Sequence, residues 1–259
     1  MEQLEFIKLV EAREEDANRL ADISKRAFHT DVQCGAPGEG GPPGYDSPKA
    51  QARFMKECDY YKILYEEIMA GAIMAIRRRR YHYECCGLFV DPEYHNRGIA
   101  TKAFELLWTR YPDAKLWTVE TPAWNTRTNH FYTKLGFEKI GKIGSNMNYF
   151  EKVISSDQIY TRMTISELRD RMNNVEIEAK VLEISKPRVV KKRATNESLT
   201  VATATLIDES GTIHLTLWNE QINHVSPNDL VRIENGYINS FRGEIQLNVG
   251  RYGKIIVLS

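Results

Sequence analysis

The hydrophobic rhythm of this chain changes near residue 155, and that change constrains the fold more than any single motif. Up to residue 154, short apolar runs suited to strands alternate with segments whose apolar residues recur at helical spacing. Beyond the polar stretch SSDQIYTRMT (155–164) the texture is mostly that of strands. Alternation followed by a block of strands points to two domains, and 259 residues are enough for two of modest size. The sequence therefore predicts a mixed α/β (α+β) domain over 1–154, a linker over 155–164 and an all-β domain over 165–259.

In the first block, residues 3–10 read as a strand. Residues 13–28 carry Ala17, Leu20, Ile23, Ala27 and Phe28 at helical spacing. The glycines and prolines of CGAPGEGGPPGYDSP (34–48) forbid regular structure, and so long a loop is either a functional lid or a disordered insertion. A short helix (49–58) and three strands (61–90) follow, with RRRR (77–80) at the turn between the last two strands. Then come a helix (98–110), a strand (116–121), a helix (125–137) and a closing hairpin or strand (141–154). In the second block five strand segments, 175–190, 199–208, 212–219, 229–238 and 244–258, suit a small five-stranded barrel.

Formal net charge is zero, so no global field draws in a polyanion, and nucleic-acid binding would need local basic patches. Residues 155–259 hold 13 basic and 13 acidic side chains. The cysteines Cys34, Cys58, Cys85 and Cys86 form no CxxC pair and no metal-ligand spacing, so no metal is expected and a reducing, cytoplasmic setting is. No signal sequence is read at the start, and no run approaches the roughly 18 apolar residues of a membrane span.

The stretch DPEYHNRGIATK (91–102) sits where a strand turns into a helix. A helix start offers unpaired N–H groups and a positive dipole end, and Gly98 and Ala100 allow close approach of a phosphate. Residues 90–100, Val90-Asp91-Pro92-Glu93-Tyr94-His95-Asn96-Arg97-Gly98-Ile99-Ala100, resemble motif A of the GNAT N-acetyltransferases, with His95 where Gln or Arg is usual. Downstream, Asn125-Thr126-Arg127-Thr128-Asn129-His130-Phe131-Tyr132 and then Gly136-Phe137 resemble that family's motif B, with Thr128 in place of the usual alanine. The resemblance implies a GNAT acyl-CoA acyltransferase fold and acetyl-CoA as cofactor. It assigns the backbone of Leu88, Phe89 and Val90 to the pantetheine arm. His95, Asn96, Arg97, Gly98, Ile99, Ala100 and Thr101 would hold the pyrophosphate, with Asn125 and Phe131 also against the coenzyme. Tyr132 would protonate the departing thiolate. Glu84 and Glu120 are the candidate bases, directly or through water; each is equally readable as a structural acid. Glu39, Tyr45 and Asp46 of the long loop can present polar groups to an amine. RRRR suits a solvated turn, a basic path or a hold on the coenzyme's adenosine phosphate.

Three segments of the second block, ISELRDRMNNVEIEAKVLEIS, DESGTIHLTLWNEQI and IENGYINSFRGEIQLNVGRYGKI, resemble archaeal single-stranded-DNA-binding and replication-protein-A-like OB domains. Trp218 at the end of the third strand, Tyr237 at the end of the fourth and Phe241 in the following loop would stack on bases. Lys191, Lys192 and Arg193 of KPRVVKKR would contact the nucleic-acid backbone, with Arg242, Arg251 and Lys254 extending the track.

The two resemblances together imply an acetyl-CoA-dependent N-acetyltransferase joined to a single-stranded nucleic-acid-binding OB domain. Its acceptor would be an amine: a protein lysine or N-terminus, or a small molecule. Its other partner would be single-stranded DNA or RNA. Two alternatives stand: a non-catalytic single-strand binding protein with a degenerate coenzyme A fold, and a small-molecule or polyamine acetyltransferase with an accessory OB module.

Overall fold

The computed structural model describes residues 6–155, 162–191, 196–241 and 243–259. Its contacts divide the chain into two compact units. The first holds the chain as far as Glu138 and again from Phe150; the second holds Lys139–Tyr149 and the rest of the chain to Ser259.

The first unit begins with β1 (Ile7–Glu11), α1 (Ala17–His29) and α2 (Pro48–Glu57). Buried Leu20, Ile23, Ser24 and Ala27 form the inner stripe of α1. Full burial of an aliphatic side chain such as Leu20 contributes about 1.5–3 kcal/mol before ordering costs. Ser47 caps α2, accepting from Ala50 N, and Pro48 fits the first helical position because no partner is needed there.

Strands β2 (Asp59–Tyr65), β3 (Ile68–Arg79) and β4 (His82–Val90) continue as an antiparallel meander from β1. The crossover helix α3 (Ile99–Arg110) then allows β5 (Leu116–Pro122) to run parallel to β4. Helix α4 (Thr126–Lys134) follows. Phe104, Leu107, Trp117, Tyr132, Phe137 and Phe150 pack on one face of this sheet. Leu20, Ile23, Ala27, Tyr60, Ala72 and Phe89 pack on the other, under α1 and α2.

The long loop is narrower than expected: Cys34 ends a 3-10 turn and Pro48 opens α2, and residues 35–47 between them are turns and bends. Tyr45 ties it to α1, edge-on to Phe28 at 5.7 Å and with its hydroxyl 3.0 Å from His29 Nε2. The arginine run departs from expectation: Arg77, Arg78 and Arg79 belong to β3, and the turn comes at residues 80 and 81.

In the second unit, β6 (Glu138–Ile143) and the start of β7 (Met147–Val153) form a hairpin. The barrel strands are β8 (Asn173–Ile184), β9 (Arg188–Lys191), β10 (Ser198–Asp208), β11 (Gly211–Trp218), β12 (Leu230–Phe241) and β13 (Glu244–Leu258). Pairing runs β8–β10–β11–β13–β12 and returns to β8, which closes five strands into a barrel. Val175, Ile177, Val181, Leu206, Leu215, Leu217, Ile233 and Leu247 fill it. Strand β6 pairs antiparallel with β13, Ile143 opposite Ile256.

Three readings of this half change. The segment 175–190 is two strands, because β9 leaves the barrel path and pairs only with the start of β10. Tyr237 lies inside β12, not at its end. Phe241 is the last residue of β12 rather than part of a loop, since β12 and β13 pair as far as Phe241 opposite Glu244.

Gly71 of β3 stands opposite Val90, where a Cβ would lie 2.2 Å from Phe89 O and 2.9 Å from Val90 Cα. Both are backbone atoms and cannot swing aside. Gly71→Ala should therefore destabilise the first unit by about 1–3 kcal/mol, read as a lower urea midpoint.

Candidate coenzyme cleft and aromatic barrel face

Strands β4 and β5 pair only from His82 opposite Leu116 to Cys85 opposite Val119. Beyond that they part, although β4 runs on to Val90 and β5 to Pro122. A register shift on β4 opposite Met74 and Ala75 leaves Cys86 unmatched, and such a bulge bends the strand away from its neighbour. The other edge of β4 stays on β3, and Asp91 N donates to Ala70 O at 2.7 Å. Alternation along the strand then directs the N–H groups of Leu88 and Val90 to the open edge. The Phe89 side chain goes to the α1 side, 6.3 Å from Phe28, so only its backbone faces the opening.

The loop after β4 is shaped by left-handed residues at Asn96 (φ 61°) and Gly98 (φ 76°). These two types adopt that conformation at low cost. Lys102 N donates the first intrahelical bond, to Gly98 O, so the amides of Ile99, Ala100 and Thr101 precede the helical ladder. Arg97 is exposed, its guanidinium 5.3 Å from the Tyr94 ring centre. The His95 side chain turns back, and Nε2 donates to Val90 O at 2.8 Å. It thereby braces the loop against the end of β4. Arg26 of α1 ion-pairs with buried Asp91 at the same corner.

The inner part of the cleft carries the acids. Glu84 is buried and accepts from Arg78 Nε and Nη2, both at 2.8 Å. Burial works against the Arg78 charge, but the bonds to Glu84 outweigh it and raise the guanidinium pKa. Glu120, half-buried, is the first β5 residue past the paired segment. His82 Nε2 lies 3.0 Å from Thr118 Oγ1 on the same face. Tyr132 is buried on the opposite face among Phe104, Phe131, Phe137 and Phe150, and burial pushes its phenol well above the usual range. Burial pushes the Cys85 thiol up to about 12. A hydrogen bond shared with Cys58 pushes Cys86 up and holds Cys58 down. Neither cysteine of β4 is primed as a nucleophile.

The segment after α1 is clasped to the start of α4. Arg127 donates to Asp31 Oδ1 at 2.5 Å and to Thr30 Oγ1 at 3.0 Å, and Thr126 Oγ1 donates to Cys34 O at 3.5 Å. Burial pushes the Asp31 carboxyl up, against the pull of Arg127 and a hydrogen bond to Asn125. Asn125 itself caps α4, its Oδ1 accepting from Thr128 N at 3.1 Å. Phe131 is half-buried beside Phe104. In the loop, Glu39 is turned onto His29 at 3.2 Å, and Tyr45 and Asp46 are neighbours in sequence on the same turn.

On the barrel, Leu215 and Leu217 of β11 point inward, so His214, Thr216 and Trp218 point outward. Registers align Thr216 with Asn248 and Asn248 with Tyr237, and likewise His214 with Gln246 and Asn239. Trp218 and Tyr237 thus share one outer face, with Asn248 between their strands donating to Asn239 Oδ1 at 2.8 Å. Lys191 is exposed at the end of β9. Lys192, Arg193 and Arg242 lie outside the described residues, as does the side chain of Phe241.

A sheet that opens between two parallel strands, with a phosphate-shaped loop at its mouth, defines an acyl-CoA-type transferase fold; the closed five-stranded barrel defines an OB fold. Residues 24–137 match the acetyltransferase (GNAT) family, and residues 168–257 match the Ssb-like OB fold of single-stranded DNA binding proteins. The chain thus joins a GNAT acetyltransferase domain to an Ssb-like OB domain. A 91-residue segment is 33% identical to the single-stranded DNA binding protein Ssb of Saccharolobus solfataricus, covering 35% of this chain and 60% of that protein. Another of 70 residues is 36% identical to the uncharacterized protein YrkN of Bacillus subtilis, covering 27% of this chain and 38% of that one. The chain therefore spans less than two thirds of the length of these curated relatives. An acetyltransferase structure from Thermus thermophilus covers 57% of this chain and 97% of its own, at 12% identity and TM-score 0.49. No helix among the described residues is long and apolar enough to cross a membrane, and no cluster there has a metal-site arrangement.

Sequence reasoning missed Arg78, Asp31 and Arg127. Arg78 was within reach, because a hairpin turning at 80 and 81 places it diagonally across from Glu84 on one face. Asp31 and Arg127 lie 96 residues apart, and no local pattern joins them. Arg78→Met should strand a buried carboxylate and lower stability by about 3 kcal/mol, measured by thermal unfolding. That is the low end for such a break, since Arg78 keeps some solvent contact.

Proposed function

We propose that this protein transfers an acetyl group from acetyl-CoA to an amine, and that its barrel holds single-stranded nucleic acid while it does so. The observation that carries the first part is the parting of β4 and β5 past Cys85 and Val119, with the α3 amides at its outer end. The residues present fit the coenzyme. The amides of Ile99, Ala100 and Thr101, with Asn96, Arg97 and Gly98, make a turn of backbone donors at a helix start, which suits the oxygens of a pyrophosphate. His95 supports that turn through Val90 rather than by its own contact. The Leu88 and Val90 N–H groups offer strand-like hydrogen bonds to an extended pantetheine arm, with Asn125 and Phe131 flanking it.

Acetyl-CoA supplies an activated acyl group. The chain's own part is to hold the thioester carbonyl against fixed backbone donors, so that charge developing on its oxygen meets dipoles already in place. Tyr132, kept protonated by burial, is suited to donate to the leaving sulfur. Of the two acids, Glu84 spends both oxygens on Arg78 and serves to position that guanidinium. Glu120, at the point of divergence, is the better placed to accept the ammonium proton, directly or through water.

The match of residues 168–257 to Ssb-like domains, and the shared outer face of Trp218 and Tyr237, support single-stranded DNA or RNA as the second partner. The acceptor in this reading is an amine on a protein, or a small molecule, brought close by the nucleic acid.

Incubation with acetyl-CoA and a panel of amines, peptides and nucleic acids, with and without single-stranded DNA, should release free thiol with at least one acceptor. Release with none would overturn the catalytic reading. Tyr132→Phe should lower kcat by about 100-fold. Because the folded-state phenol pKa is raised, that loss should be the same from about pH 6 to 9. For the barrel, Trp218→Ala should weaken oligonucleotide binding by about 5- to 100-fold in fluorescence anisotropy at low salt.

A further inference from the structure

The outer face that carries Trp218 and Tyr237 continues past both of them. The pairing of β11 with β13 ends at Thr216 opposite Asn248, two residues before Trp218 on one strand and Gly250 on the other. Gly250 is exposed, and a Cβ there would stand 3.6 Å from the Tyr237 ring. A residue without a side chain thus lies beside the Tyr237 ring.

Immediately beyond, β13 bulges. Gly236 pairs with Val249 and Glu234 with Lys254, so the step past Asn235 on β12 is matched by the whole segment Gly-Arg-Tyr-Gly on β13. The bulge is held rather than frayed. Asn235, left-handed at φ 53°, donates from Nδ2 to Tyr252 O at 3.2 Å. Gly253 packs so tightly that a Cβ would come within 2.8 Å of both Asn235 O and Val249 Cγ1. The effect of this construction is to hold the Tyr252 ring in solvent, 70% exposed, with the Arg251 guanidinium 5.6 Å from its centre. A ring so exposed adds nothing to the barrel core, and an arginine beside it supplies a phosphate donor.

We propose that Tyr252 and Arg251 form a further nucleotide subsite, Tyr252 stacking on one base beyond the Trp218–Tyr237 pair and Arg251 contacting the adjoining phosphate. The proposal rests on the single-strand reading of the barrel. The geometry requires only a π-face and a phosphate, so deoxy- and ribo-oligonucleotides both satisfy it.

The test uses the full chain and oligo(dT) and oligo(U) of increasing length, with affinity read by anisotropy. On the shortest oligonucleotides that bind, Tyr252→Ala should match the unaltered protein. Once the strand is long enough to reach the bulge, the variant should bind about 5- to 20-fold more weakly. Tyr252→Phe should retain full affinity at every length, because the ring and not the hydroxyl stacks. Arg251→Ala should reduce the slope of log affinity against log salt by about 1 on long strands only. Tyr252→Ala that tracks the unaltered protein at every length, while Trp218→Ala weakens binding, overturns the subsite and leaves the platform standing. No binding by the unaltered protein at low salt overturns both.

Discussion

Backbone pairing between β4 and β5 ends at Cys85 and Val119, and the cleft of the first unit follows from that one break in the ladder. Two parallel strands that stayed paired would bury every amide of β4 and leave nowhere for an extended ligand to dock. The break has local causes. Cys86 is left over as a bulge, Gly71 lets β3 stay close to β4 at Val90, and Asp91 anchors the end of β4 to Ala70. Each of these keeps β4 on the β3 side while β5 departs. Polar and titratable groups are arranged along the opening. The α3 amides lie at its mouth, Glu120 at its inner end, Tyr132 beneath and the Arg78–Glu84 pair beside it.

The barrel solves a different problem. Closure pairs each of the five strands on both sides, and the stretches of β10 and β13 that the circuit leaves open are taken by β9 and β6, so the outer face meets its surroundings with side chains. Inward leucines and isoleucines fix which residues can point out. The parallel pairing of β11 with β13 and the antiparallel pairing of β13 with β12 then bring Trp218 and Tyr237 onto one surface from positions 19 residues apart in sequence. The aromatic face is thus a by-product of the register that closes the core. Local charge, not net charge, governs what it attracts, since the whole chain sums to zero.

Much of this was legible in the order of residues. The change of rhythm marks two fold classes, although Lys139–Tyr149, expected in the first domain, fall in the second unit; the element order of the first half follows from helical and alternating periodicity, because burial of one face repeats every 3.6 or 2 residues. The turn between β4 and α3 was readable because its conformation is local: Asn96 and Gly98 are residue types that tolerate a left-handed backbone. Boundaries were less secure. The sequence put the arginine run at a turn, yet most of it is strand, because Arg78 gains a buried partner in Glu84. It ended the fourth barrel strand at residue 238, yet pairing with β13 carries it to Phe241.

The sequence by itself determined the two fold classes, the strand–turn–helix at residues 82–110 and the alternation that sets which barrel residues face outward. All of these depend on composition and spacing within a few turns of chain. Only the tertiary structure decided that Glu84 is committed to Arg78, that Asp31 clasps Arg127 across 96 residues, and that the Gly250–Gly253 bulge lifts Tyr252 into solvent. Those outcomes depend on which distant groups share a desolvated neighbourhood. There a lone charge is costly and a paired one is held in place, and periodicity does not encode the choice of partner.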